Sequence, residues 1–369
     1  MHYFRNTMIA ALIPLLGAGC AYESHESTDN TFPGVRAAMQ DSPVVCLLFV
    51  HGMGGYSAGD PATLVASIKS SLNLRTAHGG EAQPIGGNDD LGAATLTREH
   101  LVSDSGHELL AYTLNWEPIA TTIKDRYLAY DRDPKLAGTR LSLDEAIREQ
   151  LMCDRLSDVV IYAGVGKVEI QKSVREALKI MQQDAEGSIP GGKQYRYVIV
   201  TWSLGSKIVF DCLGGTELAT LHTAADDIKF KRIARHTDAV FMLANQLPLL
   251  AMANTSPATQ PATPHPVPES LQRFIETRNS TAAGETAPTR HLSIVAVSDP
   301  NDVLSYPIAP WLAQHDPNVE FSNVCISVAH WAAYLPVPFG GGWIANPETA
   351  HTGYGSNKEV MRLIIEGSP

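Results

Sequence analysis

The 369-residue sequence lacks any cluster of lysine or arginine, and its 28 basic residues stand against 39 acidic ones for a formal charge of −11. Such a chain repels phosphate, so nucleic acid is excluded as a partner and anionic headgroups are poor ones. Cysteine is scarce, five in all, and neither Cys-x-x-Cys nor His-x-x-x-His spacing occurs. No metal is therefore suggested, and neither a metal nor an organic cofactor is expected. Beyond residue 20 there is no apolar run near the ~20 residues that a membrane-spanning helix needs. No internal repeat is visible either. What remains, 44% hydrophobic and 18% charged residues, is the balance of a globular chain with one large core.

The first twenty residues read as an export signal rather than as fold. Arg5 gives a short positive start, Met8 to Leu16 are apolar, and Gly17-Ala18-Gly19 precede Cys20. A cysteine directly after small residues resembles the lipobox of bacterial lipoproteins, although Gly17 departs from its usual aliphatic residue. The resemblance implies an acylated Cys20, a membrane as partner through that lipid, and a periplasmic or outer-membrane-anchored location. An ordinary cleaved signal is the alternative. Residues 1–20 are thus assigned to the signal, 21–42 to a polar tether and 43–369 to one domain. Of the other cysteines, Cys46 and Cys325 lie in apolar, strand-like runs. Cys153 and Cys212 lie in helix-like segments and are candidates for a disulfide in an oxidising compartment.

Short, mostly apolar runs recur along the chain: Val44 to Val50, Glu108 to Leu114, Tyr195 to Thr201, Ala239 to Leu243, Leu292 to Val297 and Val324 to Val328. Runs of this length suit strands buried on both faces. Between them lie helical patterns, at 61–73 with Leu64, Val65, Ile68 and Leu72 on one side, at 207–213, and at about 357–366. The fold class expected is α/β, a mostly parallel sheet with helices on both faces and inserted helical or loop segments. The Gly-rich stretch 79–92 is expected to be a surface loop, and 119–185 a helical insertion. Residues 252–290, dense in Pro, Thr, Ala and Ser, are expected to form a flap beside the active site. Its apolar cluster Leu271, Phe274 and Ile275 would form a short helix over the pocket.

The chemistry-bearing signal is Val198-Ile199-Val200-Thr201-Trp202-Ser203-Leu204-Gly205-Ser206, an apolar strand running into a serine and then a helix. A sharp turn there lifts a hydroxyl above the sheet. It resembles the nucleophile elbow of α/β-hydrolases, with Thr201 in place of the first glycine. A serine at such a junction is otherwise a helix cap. The strand Val44 to Val50 ends in His51-Gly52-Met53-Gly54-Gly55, similar to the His-Gly oxyanion loop of lipases and esterases. The resemblance implies backbone amides of Met53 and Leu204 as oxyanion donors. It also implies Asp302 as the acid, with Asp299 the alternative, and His351 as the base, with His330 the competitor. The order Ser203, Asp302, His351 is that of α/β-hydrolases. The function implied is a serine hydrolase of the carboxylesterase or lipase type, cleaving an acyl ester of a small molecule or lipid through an acyl-enzyme. Acyl transfer or thioester cleavage on the same residues, and a non-catalytic binding lipoprotein, are the alternatives.

If Cys20 carries the lipid, the mature protein partitions into detergent and incorporates labelled fatty acid, and Cys20→Ser releases it. An unmodified N-terminus in the intact mass would refute the anchor.

Overall fold

Alternation along strands, not helical periodicity, organises this chain. The computed structural model describes residues 27–28, 31–54, 59–131, 133, 135, 138–141, 144–145, 147–188, 195–214, 223–252, 269–280, 291–308, 316–328, 334–337, 342–345 and 347–368. Strands β1 (Ser27–Thr28) and β2 (Phe32–Pro33) and helix α1 (Val35–Asp41) precede the first long strand, β3 (Val44–Val50). Then come α2 (Gly59–Ser71), β4 (Arg75–His78), β5 (Gln83–Asn88), β6 (Gly92–Val102) and β7 (Glu108–Asn115). A helical stretch follows: α3 (Glu117–Leu128), a π-helical segment (Ile147–Leu156), α4 (Ser157–Ala163) and α5 (Lys167–Ser188). The second half runs β8 (Tyr195–Trp202), α6 (Leu204–Leu213), α7 (Ala224–His236), β9 (Thr237–Leu243), α8 (Leu247–Ala251), α9 (Glu269–Asn279), β10 (Leu292–Ser298) and β11 (Val319–Cys325). A hairpin of β12 (Tyr334–Val337) and β13 (Gly342–Ala345), α10 (Pro347–Thr352), a 3-10 turn (Gly353–Ser356), α11 (Lys358–Glu366) and β14 (Gly367–Ser368) complete it.

The principal sheet has ten strands in the order β1-β11-β10-β9-β8-β3-β7-β6-β4, with β5 also paired to β6. From β11 to β7 all neighbours are parallel, while β1, β6, β4 and β5 join antiparallel. The molecule is therefore an α/β protein with a mostly parallel mixed sheet. In β3, Val44, Cys46, Leu48 and Val50 face one core, which includes α5, α6 and α9. Val45, Leu47 and Phe49 face a second core, formed with α1, α2 and α11. Each such Leu or Val, fully removed from water, contributes roughly 1.5–3 kcal/mol. Because the parallel strands point one way, the residues after them gather at one end: His51, Trp116, Ser203, Ala244 and Asp299. Strand-end turns there are laced together, Ser203 N to Leu243 O at 2.8 Å, Ala244 N to Val297 O at 3.0 Å and Ile326 N to Ser298 O at 3.0 Å.

Several expectations are corrected. The Gly-rich stretch 79–92 is not a loop throughout, because β5 lies within it and pairs with β6. Ile85, Ala94 and Leu96 bury themselves against α5, and left-handed Gly86 (φ 58°) and Gly87 (φ 77°) let the strand bend there. The tether is shorter than 21–42, since Val35, Ala38 and Met39 form a buried helical face on α1. The last parallel strand is Val319–Cys325 rather than Val324 to Val328. The apolar run straddles its end, and Val328 N already serves Asp299 Oδ2 at 2.7 Å. Cys153 and Cys212 are separate buried thiols, not a disulfide.

Of the flap expected over 252–290, chiefly the short helix lies within the described residues. Residues 253–268 and 281–290 lie outside the described residues. Helix α9 between them is core: Leu271 and Phe274 are fully buried, and the Phe274 ring lies 5.1 Å from that of Phe210 on α6. A Cβ at Gly214, just past α6, would stand 2.9 Å from Arg273 Cβ. The helix thus covers the end of α6 remote from Ser203. Phe274→Ala is expected to lower stability by about 3–5 kcal/mol in urea unfolding. A change under ~0.5 kcal/mol would mark a dispensable flap.

Candidate active site

Ser203 stands between β8 and α6 with φ 53° and ψ −121°. A non-glycine residue in this conformation costs on the order of 1–3 kcal/mol, which the surroundings must supply. Two glycines make the turn sterically possible. A Cβ at Gly205 would lie 2.5 Å from Val50 O and 2.8 Å from His51 O, so α6 can begin against the end of β3 only without one. A Cβ at Gly52 would lie 2.5 Å from both Ser203 Cβ and Trp202 O. Thr201, at the place of the expected first glycine, is fully buried. Its hydroxyl lies 2.8 Å from Ser206 Oγ and donates to Phe241 O at 3.1 Å. The larger residue is thus accommodated by tying the strand to the helix it enters.

An ordinary N-cap serine bonds to the first turn of its own helix, and Ser203 makes no such bond. Its Oγ lies 3.2 Å from Nε2 of His351, in α10. On the other side of the ring, Nδ1 lies 3.0 and 2.9 Å from the two carboxylate oxygens of Asp302. All three side chains are buried. The tight turn after β10 sets the acid: Asp302 N donates to Asp299 O at 3.0 Å, and Leu304 N to Asp302 Oδ1 at 3.0 Å. Asp299, the competing acid, accepts from the Asn301 amide at 2.8 Å and from Val328 N at 2.7 Å, which makes it an organiser of the turn. His330 lies outside the described residues, as do Cys20 and the signal.

Tyr354 lies in the 3-10 turn after α10, where no sequence motif marks it. Its hydroxyl donates to Asp302 Oδ2 at 3.2 Å and accepts from Asp299 N at 2.7 Å. Burial, with Asp302 beside it, holds this phenol well above its usual pKa, so it remains a donor. Trp202 Nε1 donates to the carbonyl of His351 at 3.2 Å, fixing the base's backbone to the strand that carries Ser203.

The loop His51–Gly54 lies across from Ser203. His51 is stacked on Trp116 (4.7 Å, 9°) and accepts from Trp116 N at 3.1 Å, while Trp116 Nε1 donates to His51 O at 3.0 Å. Burial pushes the His51 pKa down to about 3, so this imidazole stays neutral and can keep accepting. Gly54, left-handed at φ 84°, donates its amide to Asp158 Oδ2 of α4 at 2.6 Å. Asp158 in turn forms a buried ion pair with Lys124 of α3 at 2.7 Å. Burial pushes the Asp158 carboxyl up, against the pull of Lys124 and of the Gly54 amide. Met53 is buried between the two glycines. The amide of Leu204, first residue of α6, belongs to the helical turn that has no intrahelical acceptor. No spacing rule points to Asp158 or Lys124, because each is a single charge in a helix and only packing brings them together. Among the described residues no group of three or more His, Cys, Asp or Glu side chains is arranged to hold a metal ion.

A pH effect follows from His51. Its pKa is about 3 when folded and 6.5 ordinarily. Between these values the unfolded chain binds a proton that the folded chain refuses, so stability falls as pH drops through the window, by about 3 kcal/mol at roughly pH 4. His51→Gln removes the titrating group and keeps an acceptor for Trp116, so its unfolding free energy should decline less steeply over that range. Parallel slopes for the two proteins in urea titrations would refute the assignment. No protein-family model matches the chain and no curated protein matches its sequence, so the reading of this site rests on its own geometry.

Proposed function

We propose that the protein is a serine hydrolase of the α/β-hydrolase type that cleaves a carboxylic ester through an acyl-enzyme. The observation that carries this reading is the continuous chain from Ser203 Oγ to His351 Nε2 (3.2 Å) and from His351 Nδ1 to Asp302 (2.9 Å). A buried serine in a left-handed turn, bonded to an imidazole instead of to its own helix, has no capping explanation. The parallel order β11-β10-β9-β8-β3-β7 supports the fold-family half. It sets the glycine loop after β3 beside the turn after β8, the relation that an elbow and its oxyanion loop require. Two departures belong to this chain, Thr201 in the elbow and an antiparallel edge (β6, β4, β5) built from residues after α2.

In the reaction, His351 Nε2 takes the Ser203 proton as Oγ attacks the acyl carbon. Asp302 accepts a hydrogen bond from Nδ1–H without taking the proton, holding the tautomer and stabilising the imidazolium, and Tyr354 and Leu304 N keep the carboxylate aimed. Amides of Met53 and Leu204 receive the charge on the carbonyl oxygen. One such donor is worth about 3 kcal/mol of transition-state stabilisation. The imidazolium proton passes to the departing alkoxide and the alcohol leaves. Water, deprotonated by the same imidazole, then attacks the acyl-enzyme, releasing the acid and restoring Ser203.

Ser203→Ala is expected to abolish labelling by a fluorophosphonate and hydrolysis of short aryl esters without altering the unfolding transition. His351→Ala and Asp302→Asn should each lower kcat by about 10⁴-fold. Asp299→Asn should act mainly on stability, with little effect on the pH profile of kcat. Undiminished turnover by Ser203→Ala would overturn the proposal.

A further inference from the structure

Among the described residues eleven large apolar side chains are exposed, and eight of these fall within residues 127–165, Tyr127, Tyr130, Leu141, Ile147, Met152 and Val160 among them. Single exposed apolar residues need no explanation, but their concentration in one segment does. That segment is attached at the carboxyl end of the parallel strands. It leaves β7 there through α3, Arg126 donates to Asp90 O in the turn before β6 at 2.9 Å, and Asp158 holds Gly54 beside Ser203. Two of the remaining three, Met252 and Val303, follow β9 and β10 at the same end. Two of the segment's basic side chains, Arg140 and Arg148, both pair with Asp131 at 2.7 Å.

A second observation is independent of the first. Strand β1 runs antiparallel to β11, with Ser27 opposite Cys325, the last residue of that strand. Ser27, the first described residue, therefore lies at the carboxyl end of the sheet, the end that carries Ser203. Six residues separate Cys20 from Ser27, and the seven Cα steps between them span at most about 25 Å.

We propose that this end of the molecule, with segment 127–165 foremost, rests on a lipid bilayer, and that the substrate is an ester drawn from the bilayer. With Ser27 at this end and so few residues before it, a lipid on Cys20 would turn the exposed apolar side chains toward the surface that holds it. An acyl chain alone binds a membrane marginally, and a second contact makes the attachment stable. In a chain of formal charge −11 the second contact is apolar, not electrostatic. Association therefore needs no anionic lipid and is insensitive to salt. The choice of substrate rests on the hydrolase reading above; the orientation does not.

The test uses the mature protein with phosphatidylcholine vesicles carrying a lipid-borne quencher. Fluorophores are placed at Met152→Cys, at Val160→Cys and, on α7, at Ile228→Cys, the native thiols being buried or half-buried. Labels at 152 and 160 should be quenched severalfold more than the label at 228, with or without added salt. Equal quenching at all three, no association with vesicles, or shielding of 152 and 160 by self-association before vesicles are added would overturn the orientation. Ser203→Ala leaves the quenching pattern unchanged, so a protein that proves not to be a hydrolase still reports its orientation. The double variant Met152→Ser, Val160→Ser should lower hydrolysis of a vesicle-borne ester about tenfold and leave that of a soluble short-chain ester unchanged. Loss of both activities, or of neither, overturns the bilayer as the source of substrate.

Discussion

Backbone contact between the turn at Ser203 and the end of β3 constrains everything at the carboxyl end of the sheet. Gly205 lies where a Cβ would press on the carbonyls of Val50 and His51, and Gly52 where one would press on Ser203 itself. These contacts let α6 start directly above the sheet and hold Ser203 at φ 53°. The strain is local and is offset by what surrounds it: the Ser203 amide on Leu243 O, the Thr201 hydroxyl on Ser206 and Phe241, and an α6 whose apolar side is fully buried. Interiors packed to this density do not relax around a misplaced methyl group. The turn is therefore held where Oγ lies 3.2 Å from Nε2 of His351.

The acid side of the site is organised by a division of labour between two carboxylates. Asp299 spends its oxygens on backbone and side-chain amides of the turn and of the chain leaving β11. Asp302, three residues later, turns both oxygens toward His351. Tyr354 spans the two, accepting from the Asp299 amide and donating to Asp302. The base and its orienting tyrosine are thus carried by one short stretch before α11, and Trp202 anchors that stretch to the strand bearing Ser203.

A third set of contacts comes from the helical stretch after β7. Asp158 on α4 receives the Gly54 amide, and Tyr162, one turn later on α4, donates to Asp211 on α6 at 2.8 Å. A single seven-residue helix therefore touches both the glycine loop and the helix behind the nucleophile. Its outward side chains, Val160 among them, are exposed. This stretch thus packs inward on the candidate site and is apolar outward, which underlies the proposed contact with a bilayer.

The α/β class was legible because parallel strands buried on both faces are continuously apolar, as in Val44–Val50, and such short runs recur here between helical patterns. Ser203, Asp302 and His351 were legible as candidates because a strand-to-helix turn needs small residues at fixed spacing and because the three occur in a known order. Other features were not legible. The choice of Asp302 over Asp299 depends on which carboxylate reaches a histidine 49 residues away. Helix α9 sits in a Pro- and Thr-rich stretch whose composition suggests a loose flap, yet Leu271 and Phe274 find Phe210 only after folding. Asp158 and Lys124 carry no pattern, because a lone charge in a helix acquires meaning only from what is packed against it. By itself the sequence determined what repeats locally: the buried strands, the turn at Ser203 and the glycines that permit it. Tertiary structure decided which carboxylate reaches His351, what holds the glycine loop and which side chains are left exposed, since these depend on distances between residues far apart in the chain.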